Sequence, residues 1–136
     1  MRRALSFLTP LLGASEPRPS TLKWFPFAGA ALGLVLGALW WGAERVWPAA
    51  VAAAIVVAAD LALTGLLHVD GLADSADGLL PHLDRARRLE VMATPDVGAF
   101  GVATVGAVLL LRWAALATTA PSPLLLGGLW CASRTV

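Results

Sequence analysis

The chain has 136 residues, 58% of them hydrophobic and only 14% charged, with a formal net charge of +1. Soluble domains are nearer about 45–50% apolar and about 25% charged, so these totals, with a mean hydropathy of +0.75, indicate an integral membrane protein. They exclude nucleic-acid binding, since no basic run or aromatic-interleaved patch occurs, and the single Cys131 excludes an internal disulfide and any cysteine-spaced metal site.

Residues 1–21 carry Arg2 and Arg3, but their apolar run is broken by Pro10 and followed by Glu16, Pro17, Arg18 and Pro19. This is no secretory signal. It reads as a short amphipathic entry segment lying on the membrane surface. The first span is expected over 24–42. Gly29, Gly33 and Gly37, four residues apart, fall on one face where a neighbouring helix can approach closely. Trp24 at one end and Trp40, Trp41 and Trp47 at the other read as interface anchors. The connection after this span is very short, so the second span, over 48–67, pairs with the first as an antiparallel hairpin. It carries one acid, Asp60. A charge inside a span is usually functional or paired. Asp60 either faces a cavity leading to the aspartate motif or pairs with Arg112 of the third span.

After the second span the sequence reads "HVDGLADSADGL", residues 68–79. Taken as a helix of about 100° per residue, Asp70, Asp74 and Asp77 stand on one face at i, i+4 and i+7. Three carboxylates so close repel unless a positive charge sits among them. Magnesium, which takes hard oxygen ligands and commonly shares them with substrate phosphates, would supply it. Gly71 and Gly78 flank that face and leave room for a phosphate ester. The competing reading is ordinary: acids at a helix start complement its dipole and are solvated. The spacing, directly after a span, favours the metal site. His68 lies almost opposite Asp70 on a continuous helix. It is a general base only if the helix begins or bends near Val69, and otherwise it caps the span.

The segment 68–97 closes with Arg85, Arg87 and Arg88. The third span is expected over 98–118, and an incomplete fourth over 123–136, shorter than the roughly 20 residues a spanning helix needs. Four basic residues (Arg2, Arg3, Arg18 and Lys23) precede the first span, against one, Arg45, in the first hairpin loop. The positive-inside rule therefore puts the N-terminus and the segment 68–97 in the cytoplasm. The expected fold is all-α: a polytopic transmembrane helical bundle, one membrane domain, stopping after the start of a fourth span.

The aspartate motif resembles the signature of the cobalamin synthase family, also called adenosylcobinamide-GDP ribazoletransferases. Other landmarks fall in matching order: "FLT" at 7–9, "WFPFAGAALG" at 24–33, "RRLEVM" at 87–92, "VGAFGV" at 97–102 and "ASR" at 132–134. The resemblance implies a polytopic enzyme of the cell membrane acting in the last steps of cobalamin biosynthesis. It would join adenosylcobinamide-GDP to α-ribazole or its 5′-phosphate and release GMP, with Mg2+. Carried over by position, Asp70, Asp74 and Asp77 would hold metal and diphosphate, with one of them or His68 as base. Gly71 and Gly78 would shape the substrate pocket, and Arg87 and Glu90 match a motif position and are carried as substrate-binding candidates, Arg87 either holding a phosphate or being a solvated loop arginine. Pro10 departs from a commonly basic position. In "MATPDVG", 92–98, Ala93, Thr94, Pro95 and Asp96 replace a basic-acidic-small-basic run. The family also continues past this point, with further spans and another glycine- and aspartate-bearing motif.

Two alternatives differ in kind. CDP-alcohol phosphotransferases also place aspartates after Asp-Gly on a membrane helix, but their full pattern is not met here. A transporter could use Asp60, Arg112 and the aspartates as an ion pathway, yet the aspartates lie outside the apolar runs. The sequence leaves the oligomeric state open.

Overall fold

The computed structural model describes residue 9 and residues 23–135. The expected entry segment over 1–21 lies outside the described residues, Thr9 excepted. Six helices and no strand occur among them: α1 (Phe25–Ala43), α2 (Ala49–Thr64), α3 (Leu67–Leu79), α4 (Arg85–Ala93), α5 (Ala99–Thr118) and α6 (Pro123–Ala132). The all-helical reading holds, as expected where lipid leaves no water for open backbone groups. By length and apolarity α1 and α5 can each cross a membrane, and α2 and α3 pass only as a pair joined across a bend. The chain divides into two compact units, residues 1–65 with 113–136, and residues 66–112.

The first unit is built on glycine. Pro26 sits in the first turn of α1, where a missing N–H leaves no helical bond unmade. Gly29, Gly33 and Gly37 then face α6. A Cβ on any of them would come closer than 3.0 Å to backbone: Trp130 O, Leu126 O and Pro123 Cα respectively. The partners descend in number as the glycines ascend, so the two helices run antiparallel. Gly127 answers from α6, where a Cβ would press on Leu34 at 2.9 Å. The stripe legible in the sequence thus has its partner in the short last helix. Ser122 starts that helix, its hydroxyl accepting from Leu125 N–H at 3.2 Å, with Pro123 in the first turn.

Leu36, Trp40 and Ala43 of α1, Ala52 and Val56 of α2 and Leu126 of α6 form the core of this unit. Trp40 differs from the expectation of an interface anchor. It is 0% exposed, because it follows Leu36 by four residues and shares its buried face. Its indole N–H donates to Glu44 at 3.1 Å. Trp41 and Trp47 point outward at 49% and 48% exposure, as anchors should. Arg45 lies over the Trp41 ring and donates to the Trp41 carbonyl at 3.0 Å. Trp113 of α5 donates its indole N–H to the Ala50 carbonyl at 2.8 Å.

α2 ends three residues short of the expected limit at Leu67. Its 16 residues rise about 24 Å, less than the roughly 30 Å apolar thickness of a bilayer. The stop is a backbone event. Gly65 and Leu66 both have positive φ, 57° and 63°. Gly65 reaches this region at little cost and closes the helix by donating to Ala62 and Leu61 carbonyls. For Leu66 it is strained. The break makes the aspartate motif a helix of its own.

In the second unit α3 packs on α4. Asp84 caps α4 by accepting from Arg87 N–H at 2.9 Å. The contact is close at Gly78, where a Cβ would meet Met92 Sδ at 2.7 Å.

Candidate functional site

The break at Gly65–Leu66 starts α3 at Leu67, so the whole motif from His68 to Leu79 is helical. Asp70, Asp74 and Asp77 occupy one face, but their surroundings differ in steps. Asp70 is exposed, Asp74 half-buried, and Asp77 buried at 7% exposure. Asp77 points at the start of α5. Its two carboxylate oxygens accept from Gly98 N–H at 2.6 Å and Gly101 N–H at 2.9 Å. The first N–H groups of a helix have no partner within it, and a carboxylate there also meets the positive end of the helix dipole. Both donors are glycines for a steric reason. A Cβ at 98 would stand 2.8 Å from Asp77 Cγ, and one at 101 would also lie 3.1 Å from the Ala73 carbonyl.

This arrangement changes the expected ligand set. Among the described residues no group of three or more His, Cys, Asp or Glu side chains is placed to hold a metal ion. The three-aspartate magnesium site therefore does not fit, because Asp77 is turned to α5. Asp70 and Asp74, one helical turn apart, are two hard oxygen donors. Such a pair suits a magnesium ion that takes its remaining ligands from phosphate and water.

The glycines also divide. A Cβ on Gly71 would meet nothing within 4 Å, so this side of the helix is open beside Asp70 and Asp74. Gly78 does not shape an open pocket as expected: the Met92 side chain fills that space. Ser75 donates its hydroxyl to the Gly71 carbonyl at 2.6 Å. His68 is exposed in the first turn of α3. With the helix continuous from Leu67, it stands on the side away from Asp70, so the bend needed to bring it to the carboxylates falls too early. Arg87 and Glu90 form an exposed ion pair at 2.8 Å on α4.

Asp60 is buried at 4% exposure on α2. It lies within electrostatic range of Arg134, at the end of α6. Arg134 is thus a neighbour of opposite charge that sequence reasoning had not considered. The other feature missed was the Asp77 clamp. Two glycines three apart at the opening of an apolar helix signal close backbone approach, but nothing in the sequence says what approaches.

Residues 1–136 match the family model for cobalamin-5-phosphate synthase. The chain belongs to that family. Among curated relatives, the adenosylcobinamide-GDP ribazoletransferase of Roseiflexus sp. is 39% identical over 84% of this chain and 45% of its own length. That of Thermosynechococcus vestitus is 46% identical over 71% of this chain and 40% of its own. That of Deinococcus radiodurans is 41% identical over 87% and 46%. The chain thus spans about half the length of the curated relatives it matches. No solved structure matches it. The apolar helices α1 and α5, each long enough to cross a membrane, make it a multi-pass membrane protein.

Proposed function

We propose that this chain carries the metal- and diphosphate-binding part of an adenosylcobinamide-GDP ribazoletransferase. The whole enzyme would join adenosylcobinamide-GDP to α-ribazole or its 5′-phosphate and release GMP. The observation that carries the reading is the aspartate helix. It sets two carboxylates one turn apart beside the open backbone of Gly71, in a chain that matches ribazoletransferases across most of its length. Neither the CDP-alcohol reading nor the transporter reading has comparable support.

The reaction is a phosphoryl transfer. A ribose hydroxyl of α-ribazole attacks the phosphorus that carries cobinamide, the bond from that phosphorus to the GMP oxygen breaks, and the hydroxyl proton passes to a carboxylate. Asp70 and Asp74 would hold Mg2+, which neutralises charge on the diphosphate when bound. One of the two takes the proton, since His68 lies on the far side of α3. Arg87 would exchange Glu90 for a substrate phosphate, as a guanidinium fork suits. The N-terminus and the aspartate helix face the cytoplasm, following the excess of basic residues there.

The test uses the protein extended to the length of its relatives, in liposomes. GMP should form only when adenosylcobinamide-GDP and α-ribazole phosphate are both present. CMP release from a CDP-alcohol, with no GMP from the verified corrinoid substrate, would overturn the assignment.

A further inference from the structure

We propose that Asp77 is a positioning residue, which clamps the first turn of α5 to the aspartate helix, and that Asp70 and Asp74 alone bear the metal. The division rests on the ribazoletransferase reading only for what Asp70 and Asp74 do. The clamp itself stands on geometry.

The motif presents three aspartates at helical spacing, and charge alone treats them as equals. The surroundings do not. Asp77 is the buried member of the three, and a buried carboxylate needs both a counter-charge and hydrogen bonds. It has both without a cation. Gly98 and Gly101 each donate a backbone N–H to a different oxygen, at 2.6 and 2.9 Å. These donors carry the positive end of α5, a helix of 20 residues. The bonds reach 21 and 24 residues along the chain, so they are a tertiary clamp and not a local cap.

The glycines make the clamp specific. At Gly98 and Gly101 alike, a Cβ would come closer than 3.0 Å to the Asp77 carboxylate. A Cβ at 98 would meet only the end of the Asp77 side chain and turn the carboxylate off its N–H donors, whereas one at 101 would also lie 3.1 Å from the Ala73 carbonyl and press on the α3 backbone. By contrast Gly106, further along α5, has nothing within 4 Å of its would-be Cβ. The consequence of the clamp for the reaction is placement. A membrane-spanning helix is fixed to α3 one turn beyond Asp74, which holds the pair of carboxylates in register.

The experiment measures amide hydrogen exchange over residues 98–101 and the Mg2+ concentration for half-maximal GMP release. The proteins are the full-length enzyme, Asp77→Asn, Gly101→Ala and Asp74→Asn. Asp77→Asn and Gly101→Ala should each speed exchange over 98–101 at least tenfold. They should lower kcat and leave the Mg2+ midpoint within twofold of wild type. Asp74→Asn should do the reverse, moving the Mg2+ midpoint at least tenfold with exchange over 98–101 unchanged. A tenfold Mg2+ shift in Asp77→Asn, or unchanged exchange in Asp77→Asn or Gly101→Ala, overturns the proposal. Gly101→Ala keeps the test alive where Asp77→Asn fails to fold. The exchange measurement needs no turnover, so it decides the clamp even where the enzyme releases no GMP.

Discussion

Substituting alanine for Gly33 places a methyl group where α6 already is. Its Cβ would lie 2.8 Å from Trp130 Cβ and 2.9 Å from Gly127 Cα, and nearer still to the Leu126 carbonyl oxygen. None of these is the free end of a flexible side chain, so α6 must move as a body. Overpacking of this kind costs about 1–3 kcal/mol. Alanine returns about 1 kcal/mol through its higher helix propensity. The net expectation is a loss of up to about 2 kcal/mol. Gly106→Ala is the matched control, since its Cβ would meet nothing within 4 Å. There the propensity gain stands alone, at about 0.5–1 kcal/mol. Thermal unfolding of both variants in the same detergent should move the two melting temperatures in opposite directions from wild type. If Gly33→Ala melts at or above wild type, α1 and α6 do not approach as closely as the three glycines indicate, and the packing argument fails.

Trp40→Ala should destabilise by about 3–5 kcal/mol, since it empties a core position, whereas Trp41→Ala, at 49% exposure, should cost under about 1 kcal/mol; urea titration of both separates core from interface tryptophans. Leu66→Val should lower the melting temperature more than Leu66→Gly, because a β-branched residue tolerates a φ of 63° least. Arg87→Gln removes an exposed ion pair and should change stability by less than about 1 kcal/mol; steady-state kinetics should show a raised KM for the phosphorylated substrate with kcat retained. Chelation of Mg2+ should abolish GMP release, and its restoration by added Mg2+ is the check.

The helical architecture was legible because its signals are simple: long apolar runs and a four-residue glycine spacing. The motif's helix was legible from the same periodicity. What periodicity could not give is which face of a helix meets protein and which meets lipid. Trp40 and Trp41 are neighbours in sequence and opposite in burial for that reason. The left-handed pair Gly65–Leu66 was also hidden, since leucine gives no warning of positive φ. The different surroundings of the three aspartates were invisible for a deeper cause. Identical side chains at matched spacing acquire different surroundings from partners more than 20 residues away, here Gly98 and Gly101 for Asp77.

The most direct test of the central claim is turnover by Asp74→Asn in the full-length protein, reconstituted in liposomes with Mg2+ and both substrates. Asp74 is half-buried on the aspartate face, and asparagine keeps its size while removing its charge. GMP release should fall about a thousandfold or more while the melting temperature stays near that of wild type. A folded Asp74→Asn protein that keeps more than a tenth of wild-type turnover would contradict it, and the chemistry would then lie elsewhere than on α3.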